Sequence, residues 1–285
     1  MRSFERFITI DWTGAKGSRH KAIEVADCAP GDAAPVRVPP PGKYWSRQAV
    51  LAFVQDLARE KSRALIGFDF SFAPPFADAG CYLPGFSAPA TGPDFWAFVE
   101  ENSHDEDLGA ASLIEGLLRP HFYFGSNCGP KARFLRLRAC EAAFNAQGGG
   151  KPSSIFDCVG AAQVAKASFA GMRLLHHLRE QGVAIWPFDP LPAAGPVVVE
   201  IYCRAFLRLA GGRGLKLRDG PSLDAALASL GSRPAGLTGP LPDHLTDVLV
   251  SSAGLRHIAA SPHVWQPSFL TPELALTEGW TFGVA

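Results

Sequence analysis

The run Ala64-Leu65-Ile66-Gly67-Phe68 is apolar at every position and does not alternate. A strand without a polar face has to be covered on both sides, which is the character of strands inside α/β sheets. A helical segment precedes it at residues 47–61. Ser46 stands as its N-cap, and Val50, Leu51, Val54, Leu57 and Ala58 recur at helical spacing. Residues 6–10 are rich in β-branched and aromatic side chains and read as a strand. Residues 21–26 form a second strand, joined to the first by the glycine-rich turn 13–18, and 34–38 a third. Further strands are expected at 183–186 and 196–202, with a short edge strand at 278–284. Helices are expected at 131–147, 157–181, 223–230 and 243–260. This interleaving predicts a mixed α/β sheet flanked by helices. From 74 to 182 the pattern changes, with dense Pro and Gly at first. That stretch reads as a large, mainly helical insertion between the fourth and fifth core strands of a single domain, 1–285.

Charge and cysteine content narrow the function classes. Lys+Arg and Asp+Glu are each 27, so the net charge is zero. Tight non-specific binding to nucleic acid draws on cations that neutralise phosphates, so this balance argues against it while leaving room for a local basic groove. No segment has the apolar length of a membrane span, and the N-terminal residues lack a signal-peptide pattern. Six scattered cysteines without a C-x-x-C pair argue against zinc and redox motifs, and point to reduced thiols in the cytoplasm.

The chemistry-bearing residues are carboxylates. Asp11 ends the first strand, Asp69 ends the Ala64–Phe68 run, and Asp243 and Asp247 lie four apart at the start of the last long helix. Active sites in open α/β sheets sit beyond the carboxyl ends of strands. Hard divalent cations take oxygen ligands, so these acids could hold one or two Mg²⁺ or Mn²⁺ ions and cleave a phosphodiester. Each also has a plainer role. Asp243 follows Pro242 and suits a helix start, and Asp11 and Asp69 suit turns. Asp247 lies on an apolar helix and Asp69 between two phenylalanines, where an unpaired carboxylate is costly. Glu200, inside Val197-Val198-Val199-Glu200-Ile201-Tyr202, needs a metal or an arginine, and Arg204 is near in sequence.

Two basic sets are candidate phosphate contacts: Lys131, Arg133, Arg136 and Arg138, and Arg204, Arg208, Arg213, Lys216 and Arg218. Taken singly, each reads more readily as a solvated helix face. Lys16 closes the loop Asp11-Trp12-Thr13-Gly14-Ala15-Lys16, similar to a phosphate-holding hairpin loop of the sugar-kinase and actin-like class.

Several short motifs, spread over nearly the whole chain, resemble one family. They are Ile10-Asp11-Trp12-Thr13-Gly14, Ile66-Gly67-Phe68-Asp69, Arg138-Ala139-Cys140-Glu141, Gly171-Met172-Arg173, Val199-Glu200-Ile201-Tyr202 and Asp243-His244-Leu245-Thr246-Asp247. The family is the bacterial and archaeal "domain of unknown function 429", whose members are predicted RNase H-like nucleases. The resemblance implies an RNase H-like fold with a mixed five-stranded sheet. It also implies a Mg²⁺ or Mn²⁺ site formed by Asp11, Asp69 and Asp247, with Asp243 auxiliary and Glu200 in the strand motif. Hydrolysis of nucleic acid is the leading expectation, argued by analogy of fold. An ATP-binding phosphotransferase or ATPase of the actin-like class is the alternative, weakened by the lack of a second D-x-G loop. A non-catalytic binding module on the same fold is the third reading.

Overall fold

The computed structural model describes residues 3–150, 152–159, 164–212 and 216–285. Three strands open the chain: β1 (Arg6–Asp11), β2 (Glu24–Cys28) and β3 (Val36–Val38). β1 pairs antiparallel with β2, and β2 with β3. Helix α1 (Arg47–Arg59) follows, its first turn capped by the Ser46 side chain accepting from the Ala49 amide. It returns the chain to β4 (Ala64–Phe68), parallel to β1. Next come α2 (Gly92–Asn102), α3 (Ala111–Glu115), α4 (Ala139–Ala146) and α5 (Val164–Glu180). The short β5 (Ala184–Ile185) and β6 (Val197–Glu200) add parallel strands beyond β4. The rest is helical: α6 (Cys203–Leu209), α7 (Gly220–Ser229), α8 (Asp243–Ala259), α9 (Pro262–Trp265) and α10 (Pro272–Thr277).

The mixed sheet has six strands in the order β3-β2-β1-β4-β6-β5. The sixth is the two-residue edge strand β5, predicted from the residues but not implied by the family resemblance. Side chains alternate across β1, β4 and β6 into two cores. Ile8, Ile10, Ile66, Phe68 and Val198 meet α1 and α5 through Val54, Leu57, Phe169 and Leu175. Phe7, Leu65, Val197 and Val199 meet α6, α7 and α8 through Phe206, Leu227, Val248 and Leu249. Each large side chain buried in this way contributes about 1.5–3 kcal/mol of transfer free energy. Two buried faces explain why β4 carries no polar residue. Among the described residues no helix is long and apolar enough to cross a membrane.

Several boundaries differ from expectation. Residues 131–147 do not form one helix. Lys131–Arg133 is a 3-10 turn, and α4 starts only at Ala139. The break follows from Arg136, whose guanidinium binds Asp78 and the carbonyls of Pro75, Cys81 and Tyr82. The helix expected at 157–181 does not begin at Asp157, which bridges to Tyr123; residues 160–163 lie outside the described ones, and α5 is described from Val164. Instead of an edge strand at 278–284, a single bridge joins Thr281 to Glu200. The stretch 74–182 contains α2 to α5, and α5 itself covers one face of the sheet. Gly171 makes that cover close, since a Cβ there would lie 2.3 Å from the Phe70 ring.

Candidate functional site

Parallel pairing of β1 with β4 places Asp11 and Asp69 side by side at the carboxyl ends of the two strands. The Asp69 amide donates to the Ile10 carbonyl at 3.1 Å. Asp69 Oδ1 accepts from the Cys203 amide at the start of α6, 3.3 Å away. Helix α8 lies across β1 and β2, and the Thr9 hydroxyl donates to the Val248 carbonyl at 2.7 Å. That bond sets the height of α8 so that Asp247, one residue earlier, stands near Asp11.

The three acids affect one another electrostatically. Burial, and then the charges of Asp11 and Asp247, push the Asp69 carboxyl up to about 7. Burial and Asp11 raise Asp247 to about 6. Asp247 Oδ1 is buried and has no hydrogen-bond partner, an arrangement expected to be costly. Carboxylates that feel one another's charge, one of them with an oxygen lacking a partner, have the chemistry to bind a hard cation. No three His, Cys, Asp or Glu side chains among the described residues stand together as a ready ligand cage, however. Asp243 is held by two cations. It pairs with Lys216 at 2.6 Å and Arg218 at 3.6 Å, and the Lys216 hydrogen bond holds it below the usual carboxylate range.

Of these acids Asp11 and Asp69 line a cavity of about 740 Å³, with Phe144, Tyr202, Arg204 and His244 among its other lining residues. His244 was not singled out from the sequence. Its Nδ1 lies 2.5 Å from Asp11 Oδ2, and that hydrogen bond raises the imidazole above its ordinary value. The available signal was its position three residues before Asp247, on the same helix face.

The basic residues are largely committed elsewhere. Lys16 pairs with Glu115 at 3.1 Å and Lys131 with Asp157 at 2.7 Å. Arg136 holds Asp78, and Arg133 is exposed outside the cavity lining. Arg138 lines the cavity but is buried. Its guanidinium reaches Glu200 at 2.5 Å and Glu141 at 3.0 Å. The five residues therefore do not form one phosphate-binding face. Glu200 takes the salt-bridge role with Arg138, not Arg204, and also accepts from the Phe72 amide and the Thr281 hydroxyl. In the second set, Arg208 bonds the Gly148 carbonyl, and Arg213 lies outside the described residues. The loop from Asp11 to Lys16 has a packing reason for its glycine. A Cβ on Gly14 would lie 2.2 Å from the Lys166 backbone in α5, and Trp12 Nε1 donates to the Ala167 carbonyl.

Comparison of the chain with protein-family models, with curated proteins and with solved structures finds no match.

Proposed function

We propose that this protein is a metal-dependent phosphodiesterase acting on nucleic acid, built on an RNase H-like version of the six-stranded fold. The observation that carries this reading is that Asp11, Asp69 and Asp247, from β1, the end of β4 and α8, lie within reach of one another's charge, with Asp11 and Asp69 on the wall of a cavity. Three antiparallel strands followed by parallel β4 and β6 support the fold assignment. Asp11, Asp69 and Asp247 would hold one or two Mg²⁺ or Mn²⁺ ions, and Asp243 stays in its ion pair with Lys216. When bound, such ions supply charge neutralisation and a more acidic water. The chain's own contribution is to keep the acids close together, partly shielded from water, and to hold Asp11 through His244. All six cysteines are unpaired thiols, which fits the proposed cytoplasmic location.

The test is calorimetric titration of the metal-free protein with Mn²⁺, beside Asp11→Asn and Asp247→Asn. Binding lost in both variants is the expected result, followed by Mn²⁺-dependent cleavage of oligonucleotides that Asp69→Asn abolishes. Binding indifferent to both changes, or full cleavage by Asp69→Asn, would overturn the reading in favour of a non-catalytic binding module.

A further inference from the structure

The cavity beside the acids is also built to hold something larger than an ion. Arg204, the second residue of α6, lines it and is exposed. Its neighbour is the Tyr202 hydroxyl, and it forms no salt bridge among the described residues. This separates it from Lys16, Lys131, Arg136, Arg138 and Lys216, each of which already faces a carboxylate. Beside Arg204 stands an aromatic wall. The Phe144 and Tyr202 rings meet edge to face, with centroids 5.6 Å apart at 80°. A cation free to take a phosphate, next to ring faces on which a base can stack, is how proteins hold single-stranded nucleic acid.

Size and charge limit the ligand further. A cavity of about 740 Å³ falls within the range that encloses a small ligand. Gripping a duplex requires many cations along its backbone. The chain has zero net charge, and the cations its sequence groups together are mostly in ion pairs.

We propose that the cavity receives a single-stranded segment about two nucleotides long, with a phosphate on Arg204 and a base against Tyr202 and Phe144, and that duplex is not its substrate. This rests on the phosphodiesterase reading and specifies its substrate. The full chain, in EDTA, is titrated calorimetrically with an adenylate dinucleotide and, separately, with a blunt duplex. We expect saturable dinucleotide binding that Arg204→Gln weakens about tenfold or more. Tyr202→Leu weakens it comparably, while Tyr202→Phe, which keeps the ring, retains most of it. Arg59→Gln, which removes an equal charge outside the cavity lining, leaves binding unchanged. Tighter binding of the duplex, no dinucleotide binding, or binding indifferent to Arg204→Gln overturns the proposal. Because metal is absent from this measurement, such a failure leaves the Mn²⁺ and cleavage tests standing. Conversely, dinucleotide binding through Arg204 with cleavage indifferent to Asp69→Asn overturns hydrolysis and leaves the binding site in place.

Discussion

Nδ1 of His244, in the first turn of α8, lies 2.5 Å from Oδ2 of Asp11, at the end of β1. The two residues are 233 positions apart in the chain, and the contact joins the sheet to the helix that carries Asp247. The charged imidazole is favoured by this carboxylate, so its pKa lies above the ordinary 6.5. A raised histidine stabilises the fold fully below its unfolded value and loses that contribution as pH rises through the folded one. The side chain is 47% exposed, which keeps the effect below about 1 kcal/mol. NMR titration is expected to place His244 above an ordinary histidine, and Asp11→Asn to bring it back down. An unchanged midpoint in Asp11→Asn would mean that the pair does not form in solution.

The crowded acids give a second pH dependence, of opposite chemical origin. Asp69 moves from 3.8 unfolded to about 7 folded, so across that window the folded state holds more protons than the unfolded one. Stability of the metal-free protein therefore falls as pH rises from about 4 to 7, and Asp247 adds to the slope up to about 6. Asp69→Asn removes the buried charge together with its repulsion by Asp11 and is expected to be more stable than the parent at about pH 8, by on the order of 1–3 kcal/mol. Urea unfolding of both proteins at about pH 5 and about pH 8 measures this. A variant no more stable at the higher pH would show that burial and neighbouring charge do not hold the Asp69 carboxyl above its ordinary range.

Arg138 is a structural cation. It neutralises Glu200 and Glu141 in a buried cluster that ties β6 to α4, and its Nη1 also donates to the Glu278 carbonyl. Arg138→Met leaves two buried carboxyl groups without their partner, at a cost of about 3–5 kcal/mol. Combined with Glu200→Gln, the loss is expected to be smaller than the sum, with a coupling on the order of 1–3 kcal/mol. Additive losses in denaturant unfolding would rule out the pair as a unit.

The ring of Phe70, directly after Asp69, rests on the bare backbone of Gly171, where a Cβ would come within 2.3 Å. Gly171→Ala forces the ring or α5 to shift and is expected to destabilise by about 1–3 kcal/mol. Adding Phe70→Leu makes room and should restore part of that loss. Thermal melts of the two single variants and the double variant decide the point, and a Gly171→Ala protein as stable as its parent would contradict the packing.

Much of this fold was legible in local pattern. The all-apolar Ala64–Phe68 run, the hairpin before it and the helical spacing after Ser46 each appear in the structure within a few residues of their expected limits. Asp11 and Asp69 were legible as site candidates because a carboxylate at the end of an apolar strand has few places to go. Asp247 stood out as an acid on an apolar helix. Asp243, four residues earlier, read as a helix start with an auxiliary role, and Lys216 claims it. The basic run from 131 to 138 looked like one surface. Arg138 left it for a partner 62 residues away, and Arg136 turned back to the loop around Asp78.

By itself the sequence determined where most strands and helices form and which of their faces are apolar. Those properties follow from backbone sterics and from side-chain periods of two and 3.6, which operate over a few residues. Only the tertiary structure decided which charge meets which. Burial sets the strength of each ion pair and the position of each carboxyl equilibrium, and both depend on segments brought together across the chain. The same residue types thus became acids within reach of one another's charge at Asp11, Asp69 and Asp247, a closed salt bridge at Arg138 and Glu200, and a cation beside Tyr202 at Arg204.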